Sequence, residues 1–170
     1  SHADSVVVMR LSTPGSRGRL NLALRMVDGE GRQAMTGGNM FLVSGQLDLL
    51  HYEAQAVVKA EGGTVRTEDG RLIVSGADAV TVVLAAATDF YLSSPTYTCG
   101  DERGLHARVS ARVERASALA YKRLRARHVE DYSRLFGRVE LELADTVPAM
   151  TTDELLRNHK YNNYLDMLCF

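Results

Sequence analysis

The apolar residues of this chain change their period once, and that change divides the fold into a strand part and a helix part. Up to about residue 88 the pattern is that of short strands, several alternating with period two so that one face is buried. Ser5-Val6-Val7-Val8-Met9-Arg10-Leu11 is a β-branched run, while Leu20-Asn21-Leu22-Ala23-Leu24-Arg25-Met26 and Tyr52-Glu53-Ala54-Gln55-Ala56-Val57-Val58 alternate. Pro14-Gly15, Asp28-Gly29 and Gly37-Gly38 supply turns, because glycine reaches positive φ without steric cost. Thr64 to Thr67 and Arg71 to Ser75 predict a hairpin through Glu68-Asp69-Gly70, since Asp-Gly suits a type I′ turn. Val80 to Ala86 is almost unbroken apolar sequence, which predicts a strand covered on both faces at the centre of the core. An antiparallel meander is the expected arrangement.

Beyond the irregular stretch Ser93 to Asp101, Leu105, Val109, Val113, Ala116, Ala120 and Leu124 recur at helical spacing. The stripe predicts helices with a break near Ser117, and Tyr132, Leu135 and Phe136 carry the pattern to a C-cap at Gly137. Val139, Leu141 and Leu143 then alternate with Arg138, Glu140 and Glu142, predicting a returning strand over 138–143. Thr151 with Glu154 forms a capping box, and Asp153 adds favourable charge, so a last helix is expected from there to Phe170. The fold class is therefore mainly β with α: an antiparallel β-sandwich followed by linker helices and a terminal helix. The expected divisions are 1–100 for the sandwich portion, 101–150 for the helical linker with its strand, and 151–170 for the last helix.

With 170 residues the chain is long enough for one domain that buries roughly 68–70% of its unfolded surface. A net charge of -1 gives no whole-molecule attraction to nucleic acid or anionic lipid. Ala79 to Thr88 is only about half the roughly 20 residues that cross a bilayer, so no membrane partner is expected. Cys99 and Cys169 lie in unlike contexts and are expected as free thiols. Ser1-His2-Ala3 reads as a cloning remnant rather than a leader.

Few residues offer catalytic chemistry. Glu140 and Glu142 share one side of the predicted strand, roughly 6.5–7 Å apart, a spacing that suits an inverting glycosidase pair. Both alternate with apolar residues, however, and a solvated strand face accounts for them better than an acid that needs a raised pKa. His128 and Asp131 share a helix face but make only two ligands, and His51, His106 and His159 stand isolated, so no metal site is expected. Neither cysteine has a neighbouring base, Ser44-Gly45 and Ser75-Gly76 lack the surroundings of a hydrolase elbow, and no glycine-rich phosphate loop occurs. No cofactor is expected.

The stretch 103–127 holds Arg103, Arg108, Arg112, Arg115, Lys122, Arg123, Arg125 and Arg127 against the single acid Glu114. A stand-alone module that binds nucleic acid through this face is the alternative reading, although aromatics for base stacking are sparse. A carbohydrate-binding module is another, weakened by the absence of Trp. Neither displaces the solvated or domain-facing surface as the simpler account of the basic face.

Three stretches read in order carry a family resemblance. They are Val57 to Thr88, with Ala60-Glu61-Gly62-Gly63-Thr64-Val65 and Ser75-Gly76-Ala77-Asp78-Ala79-Val80-Thr81; Tyr121 to Leu143, with Arg127-His128-Val129-Glu130-Asp131-Tyr132 and Leu135-Phe136-Gly137-Arg138-Val139; and Thr152-Asp153-Glu154. Together they resemble the N-terminal β-sandwich and linker of glycoside hydrolase family 95, the α-L-fucosidase type. The resemblance implies a larger enzyme with an (α/α)₆ catalytic barrel that hydrolyses terminal fucosyl or related bonds by inversion. It also implies that Ser5 to Leu11 matches the middle of the sandwich, with earlier strands missing, and that 151–170 opens the first barrel helix. One departure is Met150-Thr151-Thr152-Asp153, where the family pattern has proline directly before Thr-Asp.

No position of this chain matches the family's acid and base, so no catalytic residue is assigned and the chain alone is expected to be inactive. Its expected partners are the missing barrel and, through an uncovered sheet edge or apolar patch, other copies of itself.

Overall fold

The computed structural model describes residues 1–13, 15, 18–92, 94, 95, 97, 101–140 and 150–158. Along them run β1 (Val7–Ser12), β2 (Leu20–Leu24), β3 (Met35–Gly37), β4 (Met40–Leu47), β5 (Leu50–Glu61), β6 (Thr64–Glu68), β7 (Arg71–Ala77), β8 (Ala79–Thr88), α1 (Glu102–Ser117), α2 (Tyr121–Phe136) and α3 (Thr152–Arg157). The chain divides into two compact units, Ser1–Tyr132 and Ser133–Phe170.

In the first unit the strands form two antiparallel sheets, ordered β1-β8-β5-β4-β3 and β2-β7-β6. The mainly β sandwich followed by helices is thus present, but its connectivity is not a simple meander. β3, β4 and β5 follow one another in the first sheet, and then Gly62 and Gly63, at φ of 70° and 65°, lead the chain into the second. β6 and β7 form the predicted hairpin, with Asp69 and Gly70 at φ of 48° and 70°, the doubly positive geometry of a type I′ turn. β8 then returns to the first sheet between β1 and β5.

That central place explains the composition of β8. Val80 faces the second sheet in a core with Phe41, Val43, Ala56, Val58, Leu72 and Val74. Val83 and Ala85 face the other way, into a second core with Val6, Leu105, Val109, Val113, Ala116 and Leu124. Each fully buried Val or Leu contributes roughly 1.5–3 kcal/mol relative to exposure. The helical stripe read from the sequence is therefore the surface that covers the back of the five-stranded sheet, except that Ala120 is exposed in the turn between α1 and α2. The break falls where predicted, and Lys59 of β5 donates its ammonium to the Ser117 and Leu119 carbonyls at the end of α1. A cation there complements the negative end of the helix dipole.

At one edge of the first sheet, Val7, Met9 and Leu11 of β1 pair with Leu84, Val82 and Val80. Directly paired residues share a face, so these three point to the inter-sheet side. They remain 58%, 59% and 36% exposed, because the three-stranded sheet does not cover them.

In the second unit the Gly137 amide bonds back to the Ser133 carbonyl at 2.9 Å and closes the helix as predicted. The strand expected over 138–143 is absent from 138–140, because the Arg138 and Val139 amides are engaged as turn bonds to Leu135 and Phe136. Residues 141–143 lie outside the described residues, as do 159–170, where α3 was expected to continue. At the start of α3 the Thr151 amide donates to Glu154 Oε2 at 2.9 Å, one half of the predicted capping box.

Candidate functional site: a cleft beside helix α1

Helix α1 packs over β5 and β8 of the five-stranded sheet, leaving the same face of β4 and β3 uncovered. The register sets Ser44 opposite Glu53, Gln46 opposite His51 and Leu42 opposite both Gln55 and Met35, so one face of the strands carries all of them. All of these except Gln55, which is buried, line a cleft of about 660 Å³ together with Arg103 and His106 from the first turns of α1.

Glu53 is the centre of its polar network. Its side chain is 8% exposed and accepts from Gln55 Nε2 at 2.7 Å and from His106 Nδ1, which lies 3.0 Å from each carboxylate oxygen. Gln55 Nε2 also donates to Ser110 Oγ at 2.8 Å, and that hydroxyl lies 3.4 Å from His106 Nε2. A buried carboxylate is tolerated only when it is hydrogen-bonded and paired, and α1 supplies the pairing.

Beside it, Asp89 is buried just beyond the end of β8 and accepts both the His51 amide and His51 Nδ1, each at 2.9 Å. The Asp89 amide in turn donates to the His51 carbonyl at 3.1 Å. The His51 ring hydrogen bond, helped by the His51 amide, holds the Asp89 carboxyl below the usual carboxylate range.

Tyr52, also at the cleft, reaches the opposite side of the strand. Its hydroxyl donates to Asp28 Oδ2 at 2.6 Å, and Arg32 Nε donates to the same oxygen at 2.7 Å. These bonds hold the Asp28 carboxyl far below its ordinary value, and the hydrogen bond to Asp28 raises the Tyr52 phenol. The Tyr52 ring lies over Gly45, where a Cβ would stand 2.5 Å from the Tyr52 hydroxyl oxygen.

Of the residues weighed from the sequence, His51, His106, Ser44, Gly45 and Arg103 meet at this cleft, and the others do not. Glu140 is exposed and Glu142 lies outside the described residues, as do Cys99, Cys169 and His159. The His128 ring stands 6.0 Å from that of Tyr132, while Asp131 meets His2 Nδ1 at 2.8 Å. Among the described residues, no group of three or more His, Cys, Asp or Glu is placed to hold a metal ion, and no helix is long and apolar enough to cross a membrane.

Part of the basic stretch serves the fold. Arg108 donates to the Thr88 carbonyl at 2.8 Å, and Arg127 pairs with buried Asp4 at 3.0 Å. Sequence reading passed over Glu53, because alternation marks it as solvent-facing. The available signal was His106 and Ser110, spaced i,i+4 beside the apolar stripe of α1.

Residues 1–92 match the family model described as "Glycosyl hydrolase family 65, N-terminal domain". The chain belongs to that family, and the resemblance to family 95 is corrected to a glycoside-hydrolase N-terminal domain of family 65. No curated protein matches the sequence. A solved structure described as "Putative kojibiose phosphorylase from human microbiome" aligns with a TM-score of 0.43 and 9% identity, over 76% of this chain and 18% of that chain.

Proposed function

We propose that this family 65 N-terminal domain is the non-catalytic sandwich and linker of a larger enzyme that cleaves glycosidic bonds, and that it braces the catalytic domain. The match of residues 1–92 to an N-terminal domain model carries this reading. A second observation supports it. The turn between β4 and β5 exposes Leu47 and Leu49 by 50% and 76%, and the segment after β8 exposes Phe90, Tyr91 and Leu92 by 52%, 63% and 84%. Tyr52 pairs with Thr88, so both segments leave the sheet at one end, where the Phe90 and Tyr97 rings stack at 6.5 Å. An apolar end of this kind fits a covering domain.

Purified chain, assayed on aryl glycosides and on α-glucosyl disaccharides with and without phosphate, is expected to give no turnover. Adding the catalytic polypeptide of the same enzyme in trans is expected to restore activity. Turnover by the chain alone, or a catalytic polypeptide indifferent to it, overturns the proposal.

The finer reading, inverting hydrolysis of terminal α-L-fucosyl bonds, draws its support from the ordered motifs between Val57 and Glu154. Release of fucose from an aryl α-L-fucoside by the assembled enzyme tests it, and activity confined to glucosyl substrates overturns it.

We also propose that isolated chains pair through β1. A two-fold axis at Met9 sets Val7 against Leu11 of a second copy and extends one apolar ladder across two sheets.

A further inference from the structure

We infer that the cleft beside α1 is a saccharide-binding subsite that takes a neutral mono- or disaccharide through paired hydroxyl groups. The inference rests on reading the parent protein as a carbohydrate-active enzyme. The volume of about 660 Å³ falls within the roughly 300–1,000 Å³ typical of small-molecule sites.

The chemistry of the lining selects the ligand. An ionised carboxylate offers about four acceptor positions. Glu53 uses only part of them, accepting one Gln55 N–H at 2.7 Å and one His106 N–H shared at 3.0 Å between its two oxygens. Acceptor capacity therefore remains on a side chain that lines the cleft, and two neighbouring hydroxyls of a pyranose are the bidentate donor that matches it. Gln46 and Arg103 bring exposed donors to the rim, while Met35 on β3 and Leu42 on β4 offer apolar surface to the C–H face of a sugar ring.

The same lining disfavours other ligand classes. A phosphate or sulfate here meets the Glu53 carboxylate. A metal ion lacks a third ligand among the described residues. A neutral molecule with alternating hydroxyl and C–H surfaces avoids both difficulties.

The test is saturation-transfer NMR on the full chain with maltose, methyl α-L-fucoside and the acyclic polyol mannitol, alongside spectra of the histidine ring carbons. At least one of the two sugars is expected to receive saturation and to displace the His106 and His51 ring signals, and mannitol is expected to do neither. Glu53→Gln, which keeps the side chain's size, is expected to weaken binding about tenfold, the scale of one lost charge-assisted hydrogen bond. Gln46→Ala, at an exposed strand position, is expected to weaken it severalfold without touching the core, which keeps the test valid if Glu53→Gln folds poorly.

No transfer to either sugar, equal transfer to mannitol, or binding indifferent to both variants overturns the subsite. Those results leave the bracing role standing, because restoration of activity in trans does not depend on this cleft. Sugar binding without any effect on a catalytic polypeptide would overturn the bracing role and keep the subsite.

Discussion

Gly63 lies so close to the main-chain carbonyl of Ser75 that a methyl group added to its α-carbon would collide with the carbonyl oxygen and would stand 2.6 Å from the Gly76 carbonyl carbon. Both obstacles are backbone, and Gly63 also holds a φ of 65°. Gly63→Ala is therefore expected to cost at least about 3 kcal/mol, since neither strand end can move without breaking the passage between sheets. Gly31, at φ of 80° with open space around it, is the control, where alanine is expected to cost only about 1–2 kcal/mol. Urea midpoints compare the two, and equal losses would refute the steric argument.

Asp89 and His51 predict a pH dependence. The folded-state pKa of Asp89 is depressed, so its contribution to stability is complete above the unfolded value of roughly 3.9 and is lost as pH falls through the folded value below that. At neutral pH, Asp89→Asn is expected to destabilise by about 1.5–3 kcal/mol, the range for hydrogen bonds to a charged group. Denaturation near pH 3 is expected to show a smaller gap between variant and parent. A gap of constant size would show that the charge of Asp89 is not what the pair relies on.

Met9→Lys places a charge at the centre of the uncovered β1 ladder, the device by which natural edge strands resist pairing. Met9 is 59% exposed, so the substitution costs the core little. Sedimentation is expected to show association in the parent chain and a monomer in the variant. A parent chain that sediments as a monomer removes the basis for pairing through β1.

Lys59→Met keeps the aliphatic stem and removes the ammonium from the Ser117 and Leu119 carbonyls. The expected loss is about 1 kcal/mol, with faster amide exchange concentrated in the last turn of α1. Uniform acceleration across the sheet would instead indicate a general packing defect.

Much of the fold was legible because local signals agreed with tertiary need. Asp69-Gly70 formed the turn its residue types suit, β8 was apolar on both faces because both are buried, and Leu105, Val109 and Val113 marked the covered side of α1. β3 and β4 are hard to see in the sequence because Gly37-Gly38 reads as turn punctuation and Gly45 interrupts the alternation of β4. Gly38 does occupy a turn, but Gly45 lies within β4, where its missing side chain leaves room for the Tyr52 ring. The cleft was harder still. A period-two pattern separates polar from apolar faces but cannot tell water from a helix as the neighbour of the polar one, and in β5 that neighbour of Glu53 and Gln55 is α1.

The similarity to family 65 stops at residue 92, short of both α1 and α2. Val83 and Ala85 sit at the back of the sheet, facing those helices. A clone trimmed to the matched segment would leave these residues wet and hand the ribosome a sheet with one greasy side, prone to end in inclusion bodies. For expression, crystallisation or domain grafting, the natural cut lies downstream of Leu124, and the so-called linker travels with the sandwich as its third layer.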